Sequence, residues 1–240
     1  MEINRNCKLF LQQIYSYDIS HCHYSILKSL GFNMSNINEN DKEVRNTQIG
    51  LLMRDNPKIT SVLRDITNST ISEYLLRNEI LEDDLIIRQY DGIIIKRLLT
   101  KTDYHLNLEL KNVFEVFIIS IDRSKYIAKD KNQYFVKGVS HKYSEMDNMY
   151  KKILNINYLD KVSLFKSLQK IKDELLYSED PLLFCIPIDD NKFNVFLKRY
   201  GEIEITQSTA NILCTDDIDK QKYFDYYIKP FTESIVLEFI

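Results

Sequence analysis

Two aspartates and one run of basic residues are the side chains here whose type and setting could do chemistry. Asp91 lies in Tyr90-Asp91-Gly92, between Leu85-Ile86-Ile87-Arg88-Gln89 and Ile93-Ile94-Ile95. β-Branched runs of that length read as strands, and Gly92 is expected to supply the backbone freedom of a tight turn, so Asp91 stands at the tip of a β-hairpin. A carboxylate in such a place suits a hard cation that takes oxygen ligands. The second acid is Asp18: residues 8–19 read as a strand running through Ile14-Tyr15-Ser16-Tyr17 into it. From Arg123 to Lys142 six basic residues (Arg123, Lys125, Lys129, Lys131, Lys137, Lys142) face the single acid Asp130. Such a surplus is compatible with a track for phosphates, and equally with a solvated strand pair or loop.

Other chemistry has less support. His21-Cys22-His23 are consecutive, and on a helix consecutive side chains point in different directions, which argues against a zinc site. His105 and His141 have no partner at catalytic spacing. Cys7, Cys22, Cys185 and Cys214 show no CxxC spacing and read as reduced thiols. The chain also lacks the Gly-rich phosphate loop of P-loop hydrolases and the serine motif of α/β-hydrolases.

The elements that must position these residues follow from periodicity. Ser20 can cap a short helix bearing Tyr24, Ile26, Leu27 and Leu30 and ended by Gly31, which sets Asp18 at a strand-to-helix junction. Asn33 to Asn40 reads as a loop. A helix then runs from Asp41 to about Met53, and a second begins with Pro57 in its first turn and reaches Arg77, its apolar stripe carried by Ile59, Val62, Leu63, Ile66, Tyr74 and Leu75. Residues 113–121 read as a strand, and Tyr126-Ile127-Ala128 with Tyr134-Phe135-Val136 as a hairpin. Helices are expected from Met146 to Leu154 and from Asp160 to Leu176, the latter with Val162, Phe165, Leu168, Ile171 and Leu175 on one face. Residues 181–205 are ambiguous, and Asp219 to Phe239 reads as a helix interrupted at Pro230.

The 240 residues are enough for one domain or two small ones, and 44% hydrophobic with 28% charged residues is ordinary for a globular protein. A net charge of −3 does not announce a nucleic-acid binder. No apolar run approaches the ~20 residues needed to span a bilayer, and Met1-Glu2-Ile3-Asn4-Arg5 lacks a signal-peptide pattern, so an intracellular, cytoplasmic protein without membrane partners is expected.

Taken in order, several stretches resemble family B DNA polymerases. Asp18-Ile19-Ser20-His21-Cys22-His23-Tyr24-Ser25-Ile26-Leu27 is similar to that family's first palm motif. Lys42-Glu43-Val44-Arg45-Asn46-Thr47-Gln48-Ile49-Gly50 resembles the finger-helix pattern Lys-x-x-x-Asn-Ser-x-Tyr-Gly, and Gln89-Tyr90-Asp91-Gly92 the hairpin Asp-Thr-Asp-Ser with its second acid kept. Arg123-Ser124-Lys125-Tyr126 is similar to the Lys-Lys-x-Tyr segment at the palm-to-thumb border, Val136-Lys137-Gly138-Val139 to the Lys-Gly step after it, and Tyr226-Tyr227-Ile228 with Pro230 to a helix late in the thumb.

The resemblance implies an α+β fold: a palm with an antiparallel sheet over residues 1–140, shortened fingers at 32–78, and a mainly helical, thumb-like region over 141–240. It implies template-directed nucleotidyl transfer, in which Asp18 and Asp91, with the backbone carbonyl of Ile19, hold Mg2+. Lys42, Arg45 and Asn46 would serve the nucleoside triphosphate, with His23 where the family places its sugar-selecting tyrosine. Arg123, Lys125, Tyr126, Lys137 and Gly138 would follow the primer-template backbone. The chain departs from the pattern at His23, at Gln89 where the first hairpin acid would stand, and in the short 28–41 segment where the family inserts a long finger helix. It would thus be a palm-thumb remnant or one part of a split polymerase, with room for a second subunit supplying the missing elements. The alternatives are a non-catalytic descendant that binds nucleic acid or a replication partner, and a soluble α+β protein with no polymerase ancestry.

Overall fold

The computed structural model describes residues 1–139, 144–189, 192–210 and 215–239; His141, Lys142 and Cys214 fall outside them. In chain order the elements are β1 (Glu2–Ile3), β2 (Phe10–Leu11), β3 (Ile14–Ile19), α1 (Cys22–Ser29), α2 (Lys42–Asp55), α3 (Pro57–Arg77), β4 (Leu85–Arg88), β5 (Gly92–Ile95) and β6 (Leu108–Phe114). There follow β7 (Val116–Ile119), β8 (Tyr126–Asp130), β9 (Gln133–Lys137), α4 (Ser144–Leu154), α5 (Lys161–Leu176), β10 (Cys185–Asp189), β11 (Lys192–Leu197), β12 (Gly201–Thr206), α6 (Gln207–Ala210), α7 (Lys220–Tyr227) and α8 (Lys229–Phe239). The fold is α+β with antiparallel sheets, and no helix among the described residues is long and apolar enough to cross a membrane.

The first compact unit comprises residues 1–7 and 13–114. Its sheet has the order β1-β4-β5-β3-β6, every neighbour antiparallel, so β3 lies between the hairpin strand β5 and β6. The alternation along β3 sends Tyr17 and Ile19 into a core with Ile26, Leu27, Leu63, Ile71 and Tyr74, while Asp18 stays half-exposed. Helix α1 ends as its glycine suggests. Gly31 takes φ +82°, its N–H reaches the Lys28 carbonyl at 3.1 Å, and the Phe32 N–H reaches that of Leu27 at 3.1 Å, closing a Schellman cap. Its start differs from expectation: the N-cap is His21 in the left-handed region (φ 49°) with no side-chain cap, and Ser20 instead donates its N–H to the Asn107 carbonyl.

Asp41 caps α2, its carboxylate accepting from the N–H groups of Glu43 (3.0 Å) and Val44 (3.1 Å), and Pro57 opens α3 where a missing N–H costs nothing. The buried face of α3 is Leu63, Thr67, Thr70, Ile71 and Tyr74, with Val62 turned to solvent, because the helix lies rotated from the stripe its apolar residues alone suggest. Buried Tyr74 ties the segment after β5 to α3: its hydroxyl lies 2.8 Å from the Thr102 carbonyl and 2.5 Å from that of Leu106, and accepts the Tyr104 N–H at 2.9 Å.

The second unit comprises residues 8–12 and 115–240. The expected strand over 113–121 is two strands that part at Glu115: β6 pairs with β3, whereas β7 joins the sheet β2-β7-β8-β9. The two compact units part at Phe114/Glu115. The physical reason is the core, since Ile118 and Ile127 pack with Met149, Ile153, Leu164 and Leu168 of the helices that follow. On α5 the inward face is Leu164, Leu168, Ile171 and Leu175, and Val162 and Phe165 are exposed. The ambiguous stretch 181–205 is largely a three-stranded antiparallel sheet, β10-β11-β12, so the region beyond Lys137 is mainly helical but not wholly so. The last helix breaks at Ile228, with Pro230 in the first turn of α8, as a residue without an N–H requires.

Candidate active site

The site is built around β3. Asp18 lies opposite Gly92 of β5 on one side and Glu109 of β6 on the other, and the Ile19 N–H donates to the Asp91 carbonyl at 2.7 Å. The hairpin closes with the Gln89 N–H on the Gly92 carbonyl at 2.9 Å, leaving Tyr90 and Asp91 as its two turn residues. Gly92 does not take a left-handed backbone, contrary to the role expected of it. What the position demands is room: a Cβ there would overlap both the Asp18 Oδ1 and the Tyr17 carbonyl oxygen. The glycine thus lets the Asp18 carboxylate lie against the hairpin strand beside Asp91, a close approach that no other residue permits.

Both acids line a cleft of about 700 Å3 in the first unit. From the start of α1 come its N-cap His21 with Cys22 and His23; from α2 come Lys42, Arg45 and Asn46, with Ile19 at the end of β3. Residues separated by tens of positions in sequence thus share one cavity. The Cys22 thiol senses the local charge. Burial pushes its pKa up to about 11, a hydrogen bond with Thr67 opposes this, and the fields of Asp91 and Asp18 both add to the rise. That thiol is no nucleophile at neutral pH.

His23 is held neutral, its pKa lowered by burial against an opposing pull from Asp91. Its ring meets Tyr90 edge-on at 5.3 Å, and the His23 Nε2 is buried without a hydrogen-bond partner among the described residues. Lys42, the first residue of α2, is exposed, and Asn46 is one turn further along. Arg45 departs from its expected part: it is buried, and its guanidinium donates to the Glu39 carbonyl at 2.7 Å, which fixes the 33–40 loop.

The basic segment in the second unit is only partly a surface. Lys125 is turned inward, 5% exposed, with its ammonium 3.9 Å from Asp122, 3.4 Å from the Tyr226 carbonyl and 4.2 Å from the centre of the Tyr226 ring. It belongs to the packing between the β7–β8 turn and α7. Tyr126 is likewise buried, stacked on Phe117 at 4.7 Å. Gly138 takes φ +80°, and a Cβ there would overlap the Ser124 carbonyl, so its role is close chain packing. Arg123 sits in a turn at φ 56° and is half-exposed, whereas Lys131 and Lys137 are exposed.

Of the charged residues in the cleft, sequence reasoning missed Glu39 and the one further cation, Lys111. On β6, Leu110 lies opposite Tyr17 and Asn112 opposite Ser16, so Lys111 is the extra residue of a β-bulge. Bulges re-aim side chains and recur beside functional sites, but nothing in a strand's residue types marks where the register slips.

No protein-family model and no curated protein matches the sequence. Among solved structures, the family B DNA polymerase from the hyperthermophilic archaeon Pyrobaculum calidifontis is similar over 95% of this chain, with a TM-score of 0.50 and 8% sequence identity. This chain spans 45% of the length of that one. At that identity the likeness concerns the fold, and the chain has a polymerase-like fold.

Proposed function

We propose that the cleft bounded by Asp18, Asp91 and Lys42 binds a nucleoside triphosphate with Mg2+ and carries out template-directed nucleotidyl transfer. The observation that carries this reading is convergence: a strand end, a hairpin tip and a helix start bring these three side chains to one cavity. Gly92 supports it independently, because the space it leaves is filled by the Asp18 carboxylate.

The residues fit a hard cation. Carboxylate oxygens suit Mg2+, and Ile19, whose carbonyl would be a further ligand, lines the same cleft. Among the described residues no three His, Cys, Asp or Glu side chains group as a metal site, so such a cation would rest on two carboxylates plus main-chain and ligand oxygens. Once bound, the metal would supply charge neutralisation for phosphoryl transfer, a reaction that is mostly positioning and electrostatics. The rest falls to the chain. Lys42 meets the triphosphate with Asn46 beside it, Arg45 keeps the 33–40 loop in place as one wall, and neutral His23 lies at the wall against Tyr90. Primer-template contacts would come from Arg123, Lys131 and Lys137.

A second reading is a non-catalytic descendant that uses the same cleft and basic surface to bind nucleic acid or a replication partner. Gln89 in place of an acid favours it by leaving the hairpin tip one charge poorer. Because the chain spans under half of the similar polymerase, a partner subunit supplying template-side elements is part of the proposal.

Primer extension decides between the readings. Wild-type protein, alone or with its native partner, extends a primer in Mg2+, and Asp91→Asn abolishes extension without loss of fold, since it removes one charge from a turn. An equally active variant rejects the site; a wild type inactive with every metal and nucleotide leaves the binding module.

A further inference from the structure

We infer that Lys111 is a second phosphate-binding lysine of the cleft, held by Glu109 while the site is empty and handed to a ligand phosphate when one enters. The inference rests on the cleft's being a site for phosphate esters and adds a residue that the family resemblance did not supply.

Three observations carry it. Lys111 lines the cleft together with Asp18, Asp91 and Lys42. It is the extra residue where β6 skips one position against β3, between the pairs Ser16–Asn112 and Tyr17–Leu110. A bulge of this kind breaks the ladder locally and is tolerated where it aims a side chain. Finally, its ammonium is paired with the Glu109 carboxylate, and Glu109 stands directly across the ladder from Asp18.

The Lys111 and Glu109 side chains keep 39% and 48% of their surface exposed. The pair is therefore solvated and weak, worth a fraction of the attraction between an ammonium and a doubly charged phosphate held in a cleft. Glu109 is further engaged by the Ser20 side chain; with the Lys111 contact as the larger cause, this holds its carboxyl below the usual carboxylate range. With Ser20 still in place, Glu109 keeps a partner after the lysine leaves. A lysine suits this part, being a point charge on a flexible stem that can swing between two anions. The cleft then presents Lys111 on the β6 side of its two carboxylates and Lys42 on α2.

The test is titration of Mg2+-dATP, and separately of inorganic tripolyphosphate, into wild type, Lys111→Ala, Lys111→Arg, Glu109→Gln and the distant control Lys170→Ala. Removal of one charge-assisted hydrogen bond weakens binding about ten-fold or more. Lys111→Ala shows that loss for both ligands, Lys111→Arg keeps most of the affinity, and Lys170→Ala matches wild type. Glu109→Gln binds at least as tightly as wild type, because it frees the lysine. A merely structural ion pair would make Glu109→Gln and Lys111→Ala weaken binding alike, with matched losses in Tm, and that result overturns the inference. Lys111→Ala binding like wild type also overturns it while leaving the cleft's function intact. A wild type that binds neither ligand overturns the lysine's role and the phosphate-site reading together.

Discussion

Replacing Gly92 by alanine tests the geometry that brings the two acids together. The added methyl would overlap the Asp18 Oδ1, which can rotate away, and the Tyr17 carbonyl oxygen, which cannot, because it belongs to β3 in its ladder with β5. Relief requires the two strands to part. Overpacking of this kind costs about 1–3 kcal/mol, and each ladder hydrogen bond weakened adds about 0.5–1.5 kcal/mol, so a loss of roughly 2–4 kcal/mol is expected. Gly50 is the internal control: it sits in the interior of α2 with nothing near the place a Cβ would occupy, and Gly50→Ala should stabilise by about 0.5–1 kcal/mol. In a unit of this size 1 kcal/mol moves Tm by about 4–8 °C, so thermal unfolding should place the variants on opposite sides of wild type, with Gly92→Ala lower by on the order of ten degrees. Asp18 is displaced as well, so Gly92→Ala should also lose metal-dependent ligand binding. A Gly92→Ala protein as stable as Gly50→Ala would refute the close approach of Asp18 to the hairpin strand.

Other consequences follow from single interactions. Tyr74→Phe leaves two carbonyls and an N–H without their buried hydroxyl partner and should cost about 1–3 kcal/mol, read as a lower urea midpoint with unchanged slope. Because burial lowers the His23 pKa below its ordinary 6.5, the unfolded chain takes up its proton first. Stability from this group is complete above pH 6.5 and falls as pH drops below it, until the folded-state pKa is passed; His23→Gln should flatten the dependence between pH 7.5 and 5.5. Lys125→Ala should destabilise the second unit, since it strips a buried ammonium from Asp122 and Tyr226, yet leave the salt dependence of nucleic-acid binding unchanged. Lys131→Ala with Lys137→Ala should lower the log-log salt slope by about 0.7–0.9 for each phosphate no longer neutralised; equal slopes in all variants would remove the phosphate track.

The sequence made the hairpin at Asp91 legible because two β-branched runs flank a turn, and the strand end at Asp18 because an acid closes an apolar run before helical periodicity begins. Helix ends were legible in part: Pro57 and Gly31 act through local backbone chemistry that no distant residue alters, whereas Ser20, expected to cap α1, yields that place to His21, and Asp41, expected as the first residue of its helix, is the cap of α2. What escaped depends on neighbours distant in sequence. Gly92 is read from its type as a turn glycine, and only the presence of β3 reveals that it is there for space. Lys125 and Lys137 look alike as charges along the chain, but the packing of α7 buries one and leaves the other in solvent. Lys111 was invisible because a register slip has no residue signature. The strand over 113–121 appeared continuous because β-propensity carries no information on which sheet a residue joins, and only the separate cores expose the break at Glu115.

The central claim, that Asp18 and Asp91 act as one cation site in a triphosphate cleft, is tested most directly by binding of Mn2+, a spectroscopically visible stand-in for Mg2+. Free Mn2+ would be followed by electron paramagnetic resonance as wild type, Asp18→Asn, Asp91→Asn and the double variant are titrated with a nucleoside triphosphate present. If the carboxylates form one site, each single variant loses nearly all of the nucleotide-dependent Mn2+ binding and the double variant loses little more, the non-additivity of residues that act as a unit. Losses that simply add, or a single variant that binds Mn2+ like wild type, would show two acids that share a cleft without sharing a metal, and would contradict the account.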